Sequence, residues 1–277
     1  MSGERFNPDA RYVLTNGIWG RTTKLGDNEF AHSEFGISVG ISEQGLAVIG
    51  APYYYPEYGD YGKIYFWKNT VASFWEETDS FFYCCSGVGE AVAISGNLAA
   101  LGYPSYLDKG VVELYQDDGT GDWHYITSIL PSDLEINDFF GSSVSLTKTT
   151  DYYYLAIGAP GKGSANTGAV YIYRRSTSPF AVAWTLDQKI TLSYSCMLGG
   201  SVSVSGDLLA IGEAAGSGGQ NGRAAILKRQ SSGWNLEGTF LVNSAGNSTV
   251  NRADSIPVRP SGALAIIVYA LQPNACL

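Results

Sequence analysis

Histidine is nearly missing from this chain: His32 and His124 are the only two among 277 residues. Three-histidine metal chemistry is excluded by that count. The two also fall in different parts of the repeat described below, so a shared nucleophile and base site is not expected, and both read as surface or edge residues. Cysteine is sparse as well. Cys84, Cys85, Cys196 and Cys276 form no CxxC spacing, which argues against a zinc-thiolate or redox motif. Buried or unpaired thiols, a bridge between repeats, and a strained ring joining Cys84 to Cys85 all stay open, and the redox compartment with them.

Long apolar runs are lacking too. No stretch reaches the roughly 18 residues of a membrane helix, so no direct membrane insertion is expected. No apolar run follows Met1 to Arg5, so no signal peptide is visible. Basic residues are outnumbered, 17 against 26 acidic, for a net charge of −9. An acidic surface disfavours nucleic acid and anionic membranes. Nothing holds helical periodicity over ten residues.

Glycine, by contrast, is abundant at 34 residues, and with 10 prolines it points to many tight turns. Nineteen tyrosines and six tryptophans favour strands. A repeat organises them. A glycine after an apolar residue stands at Gly36, Gly89, Gly141 and Gly199, spaced by 53, 52 and 58 residues, which suits one four-stranded blade. Each unit continues through an apolar strand to Gly50-Ala51-Pro52, Gly102-Tyr103-Pro104, Gly158-Ala159-Pro160 or Gly212-Glu213-Ala214. A third strand follows Gly62, Gly110, Gly168 or Gly222, and a fourth holds Trp75, Trp123, Trp184 or Trp234. Small residues such as Gly40, Ala91, Ala93, Ser143 and Ser201 suit a crowded innermost strand, while Val39, Val92, Val144 and Val202 alternate with them and suit packing between blades.

The expected fold is all-β: one domain, 1–277, forming a five-bladed β-propeller of four-stranded antiparallel blades. The whole blades are 35–82, 88–130, 140–190 and 198–241. The fifth is composite, with two strands from 10–25 and two from 254–270. Closing the ring this way removes exposed sheet edges.

Phe35-Gly36 with Gly50-Ala51-Pro52, and Phe140-Gly141 with Gly158-Ala159-Pro160, resemble the FG-GAP repeat of integrin α-subunit propellers and of many secreted repeat proteins. Val88-Gly89 is a close match and Leu198-Gly199 a weaker one. Members usually have seven blades, against five counted here. The resemblance implies recognition of proteins or sugars, and an extracellular or cell-surface setting. Many integrin-type units hold Ca²⁺ in a D-x-D-x-D-G loop, which is absent here; the nearest approaches, 133–138 and 117–122, read first as solvated turns, so no cofactor is expected and calcium is the lesser alternative.

The expected function is a non-enzymatic recognition module, lectin-like or adhesive, binding a glycan or protein through blade loops. Tyr53, Tyr54, Tyr55, Tyr58, Asp60 and Tyr61 follow the first GAP, and the matching loop of the second unit contains Tyr103, Tyr106 and Asp108. Tyrosine offers a stacking face and a hydroxyl at low entropy cost. Packing against the blade edge is the competing role, and it is preferred for Tyr152, Tyr153 and Tyr154. A structural or assembly subunit is one alternative, favoured by the differing loop compositions. A glycoside hydrolase is another, with Glu90 and Asp254 as the carboxylates near inner strands. Arg252 and Arg259 are candidates for an anion at the channel mouth, and Asn247-Ser248-Thr249 is a glycosylation sequon.

Overall fold

The computed structural model describes residues 12–15, 18–21, 33–54, 61–69, 75–83, 87–163, 166–178, 181, 183–191, 197–213 and 223–241. Strands β1 (Tyr12–Thr15) and β2 (Ile18–Arg21) form an antiparallel pair. Four four-stranded sheets follow. The first holds β3 (Ser38–Ile41), β4 (Leu46–Tyr54), β5 (Tyr61–Asn69) and β6 (Trp75–Tyr83); the second β7 (Ala91–Ser95), β8 (Leu98–Tyr103), β9 (Val111–Asp117) and β10 (Trp123–Ile129). The third holds β11 (Ser143–Lys148), β12 (Tyr152–Ala159), β13 (Ala169–Ser176) and β14 (Thr185–Thr191); the fourth β15 (Leu198–Ser205), β16 (Leu208–Glu213), β17 (Arg223–Gln230) and β18 (Gly233–Leu241). Each is an antiparallel meander in chain order. The molecule is thus all-β. Residues 254–270, expected to complete the sheet begun by β1 and β2, lie outside the described residues. No described helix is long and apolar enough to cross a membrane.

The sheets stack through their first strands, β3 beside β7, β7 beside β11 and β11 beside β15. Strand alternation divides the core between neighbours. Val92 and Ile94 of β7 join Val48, Ile64 and Phe66 of the first sheet, while Ala91 and Ala93 on the opposite face join Leu146, Leu155 and Tyr171 of the third. Val204, Leu209 and Trp234 of the fourth sheet pack on Tyr154 and Ile172. Trp123 stacks on Phe66 with ring centroids 4.3 Å apart. Such aromatic pairs contribute about 0.5–1.5 kcal/mol beyond their buried area.

The recurring glycines have a backbone cause. Gly36, Gly89, Gly141 and Gly199 hold φ of +88°, +81°, +93° and +88°, a region that favours glycine. Within a unit, the N–H of Gly36, Gly89 or Gly141 donates to the carbonyl of Gly50, Gly102 or Gly158, each at 2.9 Å. Between units, a Cβ on Gly50, Gly102 or Gly158 would run into the carbonyl of Gly89, Gly141 or Gly199 of the next sheet. The paired glycines are therefore the contact by which one sheet sits on the next.

Each fourth strand carries one extra residue where its pairing register shifts: Thr78, Ile126, Asp187 and Glu237. Such a bulge bends the strand and re-aims one side chain.

Candidate functional site

The ends of the second strands and the loops that follow them meet the loops that enter the next first strands, and backbone hydrogen bonds join them. Gly87 donates to Pro52 O at 2.9 Å, Asn137 to Asp108 O at 2.6 Å and Met197 to Asn166 O at 2.7 Å. Phe140 donates to Lys109 O at 2.9 Å. The surface at this end is therefore made of pinned loops.

The expected tyrosines occupy it unequally. Tyr53 is half-buried and its hydroxyl donates to Glu90 Oε1 at 3.4 Å. Tyr54 and Tyr61 are paired at the ends of β4 and β5, while Tyr55, Tyr58 and Asp60 lie outside the described residues. Tyr103 is 7% exposed and packs between the first two sheets. Its ring centroid lies 5.4 Å from that of Tyr106, which is exposed. Tyr106–Asp108 forms a short 3-10 turn in which Leu107 and Asp108 have positive φ, and Asp108 is exposed.

Three apolar residues that the sequence reading passed over also stand out at this end. Leu107 is 67% exposed, Ile136 is 66% exposed, and Phe139 is exposed beside the fully buried Phe140. The signal for Phe139 was the doubled phenylalanine: only one of two adjacent residues can enter the core at that point.

Burial raises the Glu90 carboxyl above the ordinary glutamate range; the Tyr53 hydrogen bond opposes the rise and the charge of Glu34 adds to it. Asp254, the other carboxylate considered for hydrolysis, lies outside the described residues, as do Arg252, Arg259, Asn247, His32 and the four cysteines. Tyr153 and Tyr154 are core residues, and Tyr152 is half-buried.

The two acidic turns are satisfied by protein donors. Lys162 Nζ lies 2.9 Å from the buried Asp138 Oδ2, which also accepts the Glu135 N–H at 2.7 Å. Lys189 Nζ lies 2.5 Å from Asp133 Oδ2, and the Tyr171 hydroxyl donates to the same oxygen at 3.1 Å. Partial burial pushes the Asp133 carboxyl up, but the hydrogen bonds from Lys189 and Tyr171 outweigh it, so it lies below the usual range. In the other turn Asp117 Oδ1 accepts the Gly121 N–H and Asp118 Oδ1 the Thr120 N–H, both at 2.8 Å. Among the described residues no group of three or more His, Cys, Asp or Glu is arranged to hold a metal ion. What this end offers is a fixed, partly apolar surface with acidic groups at its margin.

Comparison with known proteins matches a stretch from β10 of the second sheet into β13 of the third. The FG-GAP repeat family matches residues 123–173. No curated protein matches the chain. Among solved structures, a sucrose-6-phosphate hydrolase from Lactobacillus gasseri is similar with a TM-score of 0.49 and 11% identity, covering 79% of this chain and 52% of that one. A hypothetical selenium-binding protein from Sulfolobus tokodaii has a TM-score of 0.41 and 14% identity, covering 72% of this chain and 53% of that one. The chain thus spans about half the length of each, and neither likeness bears on function. An FG-GAP repeat is present over residues 123–173, consistent with a member of the integrin-like β-propeller family.

Proposed function

We propose that this chain is a non-enzymatic recognition module, lectin-like or adhesive, that binds a glycan or protein through its blade loops. The observation that carries the reading is the pairing of exposure with fixity. Tyr106, Leu107, Ile136 and Phe139 are exposed, yet their loops are joined by the Asn137 to Asp108 and Phe140 to Lys109 hydrogen bonds. A pre-ordered apolar surface loses little entropy on binding. An extracellular or cell-surface setting goes with this role.

The scaffold belonging to the proposal is a five-bladed propeller in which 254–270 join 10–25. Its support is a face of the first sheet that stays uncovered among the described residues. Ile41 is 67% exposed, whereas Ile94, at the same position of the second sheet, is 8% exposed against the preceding sheet. A fifth sheet would cover Val39 and Ile41 as the first covers Val92 and Ile94.

The apolar character of Leu107, Ile136 and Phe139 favours a protein ligand over a sugar, and so keeps an assembly role as the second reading. A glycan array and a panel of purified cell-surface proteins probe the module directly. Binding should appear on one of them and weaken at least about tenfold in Leu107→Asp with thermal stability unchanged. Binding that survives both Leu107→Asp and Tyr106→Ala would remove this face as the site. No binding on either platform would leave the assembly role.

A further inference from the structure

The repeat lets one interface be compared with the next. Between the third and fourth sheets, the bulge residue of β14, Asp187, is almost fully buried and takes three donors. Arg229 Nη2 donates to its Oδ1 at 3.4 Å and Trp234 Nε1 to its Oδ2 at 3.0 Å, while Arg174 Nε forms an ion pair with it at 3.3 Å. One unit earlier the same donors recur. Arg175 stands seven residues after Gly168 as Arg229 stands seven after Gly222, and Trp184 occupies the repeat position of Trp234. The bulge residue that should meet them, on β10 of the second sheet, is Ile126. Ile126 and Trp184 pack against the same apolar cluster.

The acceptor is thus missing while the donors remain. Arg175 is 9% exposed; its Nε has no hydrogen-bond partner, as Arg229 Nε has none, but Trp184 Nε1 has none either, where Trp234 Nε1 is bonded to Asp187. No ion pair to Arg175 occurs among the described residues. The guanidinium carbon lies 4.9 Å from the Tyr153 ring centroid and 5.5 Å from that of Trp184. Lys148 Nζ approaches the same Tyr153 ring at 5.4 Å, so two cations share it. Burial lowers the Arg175 pKa, an effect the Tyr153 hydroxyl opposes.

We propose that the outer part of the second to third sheet interface binds a small carboxylate ligand, which takes from Arg175 and Trp184 the hydrogen bonds that Asp187 takes from Arg229 and Trp234. A planar carboxylate suits the guanidinium fork, and Lys148 adds a second positive charge. Burial of the donors strengthens their attraction for an anion. On the second sheet, Ile126 also lines an open depression of about 440 Å³ with Gln116, Asp117, Asp118, His124 and Tyr125. The two acids in that wall are already engaged, Asp117 by Gly121 and Asp118 by Thr120 and His124.

Formate is the probe, and the indole N–H resonance of Trp184, assigned with Trp184→Phe, is the readout. Saturable downfield movement of that resonance is expected with formate. Trp234, already bonded to Asp187, is expected to stay in place. Ile126→Asp should move the Trp184 resonance without formate and abolish the response, and Arg175→Gln should weaken formate binding by about tenfold or more. The Trp234 resonance in each variant reports that the fold is intact. If Ile126→Asp does not fold, Arg175→Gln carries the comparison alone. No movement of Trp184, equal movement with chloride or sulfate at matched ionic strength, or a response retained in the folded variants would overturn the proposal.

Discussion

The carbonyl of Gly89, at the entry to the second sheet, lies where a side chain on Gly50 of the first would have to be. Ser38 Oγ donates to that same carbonyl at 2.6 Å, so the sheets are joined by backbone contact and a hydrogen bond at one point. Ser143 repeats the bond to Gly199 O at 2.8 Å. Gly102→Ala and Gly158→Ala should each therefore separate two sheets. The expected loss is about 1–3 kcal/mol, read as a lower urea midpoint. A midpoint unchanged in both variants would sink the glycine contact as the cause of the motif.

How much of this was legible beforehand depends on the kind of constraint. The glycines were readable because backbone approach leaves no other residue, and the paired strands because alternation survives in Val92, Ala93 and Ile94. The place of Tyr103 in the Gly102-Tyr103-Pro104 turn suggests a ligand contact, whereas it shares a strand face with Leu101 and Ala99 and all three join one cluster. The bulges were not readable. One extra residue reverses which face a side chain meets, so Asp187 and Ile126 carry no mark of their roles until the register is known. Nor does the sequence say that Leu107 points outward, since a turn with positive φ at Leu107 and Asp108 follows no periodic pattern.

Asp187 joins Arg174, Arg229 and Trp234 across the third to fourth interface. Asp187→Ala removes the acceptor and leaves Arg229 confined without a counter-charge. Losing one partner of a buried pair costs about 3–5 kcal/mol; the partial exposure of Arg174 and Arg229 puts this case at or below the lower end. Asp133→Ala, at a carboxylate that is 48% exposed against 6% for Asp187, should cost well under half as much. Thermal unfolding of the two variants side by side tests the ranking, and equal losses would contradict it.

Glu90 gives a pH dependence of determined sign. Its carboxyl is raised by burial, so the folded chain holds that proton more tightly than the unfolded chain does. Below the unfolded value of about 4.3 the group makes no difference. As pH rises from there through the folded value, stability is lost, and the loss then stays constant. Glu90→Gln escapes it. The variant should match the parent near about pH 3 and be more stable near about pH 7, by denaturant titration at both. A variant less stable at neutral pH would mean that the ionised carboxylate is favoured where it lies, against the direction that burial sets.

The uncovered face of the first sheet distinguishes a closed ring from an open stack. Ile94 is packed against the preceding sheet, so Ile94→Ala should cost about 2–5 kcal/mol. Ile41 occupies the same repeat position but is exposed among the described residues. On an open stack Ile41→Ala would stay within about 0.5 kcal/mol of the parent. If 254–270 complete a fifth sheet over it, the cost should approach that of Ile94→Ala. The two cases separate further when the chain is cut after residue 253. Removing the cover should destabilise the parent and abolish the cost of Ile41→Ala while leaving that of Ile94→Ala intact, because a coupling energy appears only between groups in contact. An Ile41→Ala effect that is small in the full chain and unchanged by the cut would leave four sheets without a fifth.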